Sequence, residues 1–146
     1  MNRGEAIRAR IEARVPALAG RLESAAEFGQ LVENNRLPQH TPAGFVLPGA
    51  LVGGIANAAA GLFTQSVAET AIVVLVVRQV RDALGGAAVA EAAPIVVDVI
   101  KAVAGWGPDD APGVFTLGRA ELVGSQDQAL VYQIDFTLDD QLRITP

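Results

Sequence analysis

"AIVVLVV", residues 71–77, is apolar at every position. In an extended chain Val73 and Leu75 fall on one face, and Ile72, Val74 and Val76 on the other. A strand apolar on both sides belongs in a sheet covered on both sides. The spacing predicts a strand over Gln65 to Val80, and a domain this small can draw its second cover from another subunit.

Working downstream, residues between Gly85-Gly86 and Gly105 read as a helix. Val89, Ala93, Val96, Ile100 and Val103 form its apolar stripe, with Glu91, Asp98 and Lys101 opposite. Pro94 suits a first turn, which predicts a regular helix over Pro94 to Ala104. A strand is expected over Val114–Gly124, then a turn at Ser125-Gln126-Asp127-Gln128. In the last strand Leu130, Tyr132, Ile134, Phe136 and Leu138 alternate with Gln133, Asp135, Thr137 and Asp139. One face is therefore buried and the other wet or partner-facing.

Working upstream, Gly44 to Leu51 reads as a short strand with Pro48 at an edge or bulge, and Gly53-Gly54 opens a loose loop ending near Gly61. Ile7, Ile11, Val15, Leu18 and Leu22 mark one helix face, which Pro16 kinks or breaks. Arg8 and Glu12 are spaced to pair on another face. Ser24-Ala25-Ala26-Glu27 is a capping box that restarts a helix, with a stop at Asn34-Asn35. The order helix, strand, strand, helix, strand, strand predicts an α+β fold. It comprises one mostly antiparallel sheet of about four strands with helices packed on it, in a single domain spanning residues 1–146.

Composition narrows the function classes. The formal charge is −5, Cys is absent and His40 is the lone histidine. Thiol chemistry, disulfides and two-histidine metal sites within one chain are excluded. The bases are scattered, whereas sequence-independent nucleic-acid binding needs clustered cations. The start, Met1 to Arg14, does not read as a secretory signal. The longest apolar run is too short for a membrane span, which takes roughly 20 residues. A soluble protein made in a cytoplasm is expected.

No catalytic set, cofactor site or metal site is legible. Asp109-Asp110 and Asp139-Asp140 read as solvated or partner-facing acids rather than ligands, because consecutive residues point apart. Glu69 and Asp135 are acids within strand patterns and read as exposed sheet face or subunit contact. Trp106 is either the apolar plug ending its helix or an interface anchor. His40 has no acid or nucleophile beside it, and neither Gly-Gly pair precedes a P-loop Lys-Ser/Thr. Glu69, Trp106, Asp109, Asp110, Asp135, Asp139 and Asp140 are thus candidates for a contact surface, with "GWGPDDAPGV" (residues 105–114) as a stiff connector.

The stretch "AVAGWGPDDAPGVFTLGRAELV" followed by "ALVYQIDFTLDDQLRI" resembles the C-terminal half of tail terminator proteins of tailed bacteriophages and related gene transfer agents. The pieces are the helix ending in Gly105-Trp106, the Pro and acidic residues, the Tyr132–Phe136 strand, and the ending from Asp140 to Arg143. The resemblance implies a non-enzymatic virion assembly protein without cofactors. It implies a ring, usually a hexamer, at the head-proximal end of the tail tube, which ends tail polymerisation and meets the head-side connector or stopper protein. DNA passes through such a ring without sequence-specific binding, and assembly takes place in the host cytoplasm. Another neck or tail-completion component and a ferredoxin-like small-ligand or regulatory module are the competing readings.

Overall fold

The computed structural model describes residues 3–34, 36–78, 86–126 and 129–145. In chain order the elements are α1 (Gly4–Arg14), a 3-10 turn (Pro16–Leu18), β1 (Leu22–Glu23), α2 (Ala25–Glu33), β2 (Ala43–Ala59), β3 (Leu62–Arg78), α3 (Gly86–Val103), β4 (Thr116–Gln126) and β5 (Ala129–Ile144). The fold is α+β, with one sheet in the order β1-β2-β3-β5-β4. That is five strands rather than four, and the sheet is mixed, because β1 runs parallel to β2 at Leu22–Gly44 and Glu23–Phe45. Two residues are too few to show an alternating pattern, so only the pairing reveals this strand.

The central strand stands as its pattern predicts from Gln65 to Arg78; Gln79 and Val80 lie outside the described residues. Its two covers both come from the same chain. On one side Ala71, Val73, Leu75 and Val77 pack with Ile7 and Ile11 of α1, Ala88, Ala92, Ile95 and Val99 of α3, and Ile134, Phe136 and Leu138 of β5. On the other, Val74 and Val76 pack with Phe45, Leu37 and Ala129, with Phe28 and Leu31 of α2 closing over them. The Phe28 and Phe45 ring centroids lie 5.0 Å apart. Arg78 fixes the segment before β2 by donating to the carbonyls of Pro38 (2.7 Å) and Leu37 (3.1 Å).

The first apolar stripe is buried throughout, but its helix ends at Arg14, two residues before Pro16, and continues as the 3-10 turn. Arg8 meets Glu5 at 3.5 Å rather than Glu12, because Glu12 instead accepts from the Gly20 backbone N–H. α2 carries the expected capping box, with Glu27 N donating to Ser24 Oγ at 3.3 Å and Glu27 Oε1 accepting back from Ser24 N at 3.4 Å.

Beside that box, Glu23 has its pKa raised, first by burial and then by the charge and hydrogen bond of Glu27. A raised folded-state pKa favours the protonated carboxyl, so this group's stabilisation is present below its ordinary value of 4.5 and is lost as pH rises through the folded value. Glu23→Gln should therefore raise Tm at neutral pH and leave it unchanged below 4.5. Equal melting of the two proteins at neutral pH would show that Glu23 is fully solvated.

Two elements are longer than their patterns indicate. α3 begins at Gly86, and Pro94 sits inside it. An interior proline costs about 3 kcal/mol, but Pro94 faces solvent and the preceding turns are alanine-rich. The buried stripe is Ala88, Ala92, Ile95, Val96, Val99, Ala102 and Val103, while Val89 is exposed. Val96 and Val103 of the expected stripe are buried, whereas Val89 and Ala93 are exposed and Ala88 and Ala92 face the sheet in their place.

β2 runs on to Ala59, so the expected Gly53–Gly61 loop is instead a strand paired to β3 down to Ala59–Leu62. Its irregularities fall between Pro48 and Leu51 and between Gly53 and Ala56, the first at the proline for which an edge or a bulge is expected. Ala60 (φ 51°) and Gly61 (φ 77°) turn the chain; positive φ at both positions matches the strand twist of a two-residue hairpin. In the terminal hairpin Ser125 and Gln126 pair with Leu130 and Ala129. Only Asp127 and Gln128 of the expected turn remain between the strands, and they lie outside the described residues.

Candidate functional site

At the level of Glu69 the helix-covered part of the sheet gives way to a bare arm. The arm is the outer half of the β2–β3 hairpin, flanked by the end of β5 through pairs such as Phe63–Ile144 and Gln65–Leu142. Residues 48–62 are all exposed.

A buried charge cluster closes this boundary. Arg3, just before α1, is 7% exposed and Glu69 is 5% exposed. Arg3 Nη1 lies 2.5 Å from Glu69 Oε2, and the Arg3 backbone N–H donates to Glu69 Oε1 at 3.0 Å. Arg3 Nη2 donates to Asp140 Oδ2 at 2.9 Å. Arg3 Nε makes no hydrogen bond among the described residues, but Asp110 Oδ1 stands 3.7 Å from it.

Register explains the convergence. Glu69 faces Leu138 and Val67 faces Asp140 on neighbouring strands, so both acids point to the face on which α1 packs. Burial by itself lowers the Arg3 pKa, but hydrogen bonds to Asp140 and Glu69 and their charges outweigh it and hold the guanidinium firmly charged. Burial likewise raises Asp140, yet the Gln141 backbone N–H and Arg3 leave its carboxyl below the ordinary range. Glu69 and Asp140 thus clamp one fixed cation, with the exposed Asp110 at its rim. Among the described residues no group of three or more His, Asp or Glu could hold a metal ion.

The connector after α3 is held from both ends. Gly105 N donates to Phe115 O and Phe115 N donates to Trp106 O, each at 2.8 Å. Trp106 is half-buried, stacked on Phe115 at 6.2 Å between centroids, with the Arg10 guanidinium 5.2 Å from its ring. Arg10 also donates to Ala102 O at 2.8 Å. A Cβ on Gly107 would come within 2.1 Å of Gly113 O, so the loop closes on itself only with glycine there. Trp106 is thus packed as a plug, and Asp109 and Asp110 are presented outward on a braced loop.

The remaining candidates lie on the other face of the sheet. Asp135 is half-buried, accepts from Gln133 Nε2 at 3.0 Å and faces Arg119 across β4. Asp139 is exposed opposite Ala68. With Asp140, Val52, Gly53, Gly54 and Ser66 it borders an open groove of about 400 Å³. The structure therefore brings Glu69, Asp110 and Asp140 together and leaves Trp106, Asp109, Asp135 and Asp139 apart. Sequence reasoning missed Arg3, since one arginine beside the start of a helix carries no spacing signal.

The folded chain is thus a braced body with a bare, paired arm. Among the described residues no helix is long and apolar enough to cross a membrane. No curated protein matches the sequence. The family model described as Phage tail terminator protein matches residues 1–146. The chain therefore belongs to the phage tail terminator family, a structural family of bacteriophage tail assembly whose members are parts of the virion.

Proposed function

We propose that this protein, as one domain over residues 1–146, forms a ring, a hexamer, at the head-proximal end of the tail tube. It ends tail polymerisation there and joins the tail to the head-side connector or stopper protein, in a phage or a gene transfer agent, after assembly in the host cytoplasm. The observation that carries the reading is the family match along the whole chain. The bare arm and the outward acids support it, as surfaces made for protein contact rather than chemistry.

Asp109, Asp110, Asp135 and Asp139 are the partner-facing residues of this reading. Glu69, Asp140 and Trp106 hold in place the strand and loop that carry them. Six copies at −5 each give a formal charge of about −30. Acids facing the lumen would let DNA pass without sticking.

Light scattering across a concentration series, alone and with purified tail tubes, tests the ring. The expected species has six times the 15.1 kDa chain mass and caps one tube end in micrographs. A protein that stays monomeric and ignores assembled tubes would overturn this function and return the small-ligand reading.

A further inference from the structure

We propose that the outer edge of β2, from Leu51 to Ala59, pairs with the outer edge of β4 of a second copy of this chain. The inference rests on the ring reading and names the surfaces through which its copies join.

Both edges are open among the described residues of one chain. β1 reaches only Gly44 and Phe45 of β2, and β4 pairs with β5 alone among the described residues. An open edge offers a row of N–H and C=O groups, which monomeric proteins guard with charges. This edge has no such guard: Leu37 to Ala68 contains no Asp, Glu, Lys or Arg. It also exposes Leu51 (57%), Val52 (58%) and Ile55 (87%). Across β4, Leu117, Leu122 and Val123 are exposed as well.

Charge selects the occupant. Copies at −5 repel one another, so they meet most readily where charge is absent or cancelled. The β2 edge is uncharged, and on β4 Arg119 and Glu121 neutralise each other at 2.6 Å. Direction fits too. β2, β3, β5 and β4 alternate in direction, so adding the β2 of one copy beside the β4 of the next extends the sheet as another antiparallel pair. Because the two edges differ, the contact is head-to-tail, the kind that closes into rings. Pairing β2 with β2 would instead stop at two copies.

The native chain has no cysteine, which permits a clean crosslinking test. In Ile55→Cys/Val123→Cys, a short bis-maleimide should give a ladder of covalent multiples of 15.1 kDa, while each single-cysteine variant remains single chains. Ile55→Lys installs the missing guard at a side chain that is 87% exposed. It should keep the native Tm and raise the concentration for half-assembly at least tenfold. Dimers from Ile55→Cys alone, or assembly of Ile55→Lys at the native concentration, overturn the edge pairing while the ring stands. A native protein monomeric at every concentration and with tail tubes overturns both.

Discussion

Arg3→Ala is expected to lower the unfolding free energy by about 3–5 kcal/mol, because it leaves the buried Glu69 carboxyl without its partner. The loss should appear as a lower urea midpoint with an unchanged slope. Glu69 is 5% exposed and its carboxylate is spent on the Arg3 guanidinium and backbone N–H. Removing both charges in Arg3→Ala/Glu69→Leu should recover much of the loss, since apolar replacement of a buried pair is often neutral. The acid side of the stability curve should change as well. The depressed pKa of Asp140 contributes stability above the ordinary 3.8 that is lost as pH falls through the folded value. Without Arg3 that dependence should shrink. A loss below about 1 kcal/mol, the range of exposed pairs, would mean that water reaches the cluster and that nothing clamps the base of the arm.

Phe115→Ala is expected to cost about 3–5 kcal/mol as a core truncation, and it tests the connector directly. Phe115 is fully buried, hydrogen-bonded through both its N–H and its carbonyl, and stacked on Trp106. Trp106 is the sole tryptophan, so its emission should shift to the red as the plug loses its backing. Asp109→Ala, on the same loop but exposed, should stay within about 0.5 kcal/mol of native and affect only partner binding. A Phe115→Ala protein with native stability and emission would show that the loop is not braced as described, and that Trp106 is free to serve as an anchor.

Much of the body was legible because its side chains follow one clear period. The 71–77 run marked a strand covered on both faces, and β5 alternates in register with it. Ile7, Ile11, Val15, Leu18 and Leu22 are buried as their spacing indicates, even though Pro16 splits them between a helix, a 3-10 turn and a strand. The arm was illegible for the opposite reason. Gly53 to Gly61 has no side-chain pattern, and its strand exists because β3 supplies the hydrogen bonds. In α3, valines outrank alanines on any hydrophobic scale, but close approach to the sheet selects Ala88 and Ala92 and leaves Val89 outside.

The candidate site divides the same way. By itself the sequence determined the uncharged stretch, the acids, the glycine- and proline-braced loop and the family likeness, because those are properties of residue types in order. Only the tertiary structure decided which acids are free. Arg3 lies 66 residues from Glu69 and 137 from Asp140, and no local spacing links them. Sheet register turns both carboxylates toward the start of α1, where burial makes one arginine the counterion for both. That pairing takes Glu69 and Asp140 out of solvent and leaves Asp109 and Asp139 on the surface.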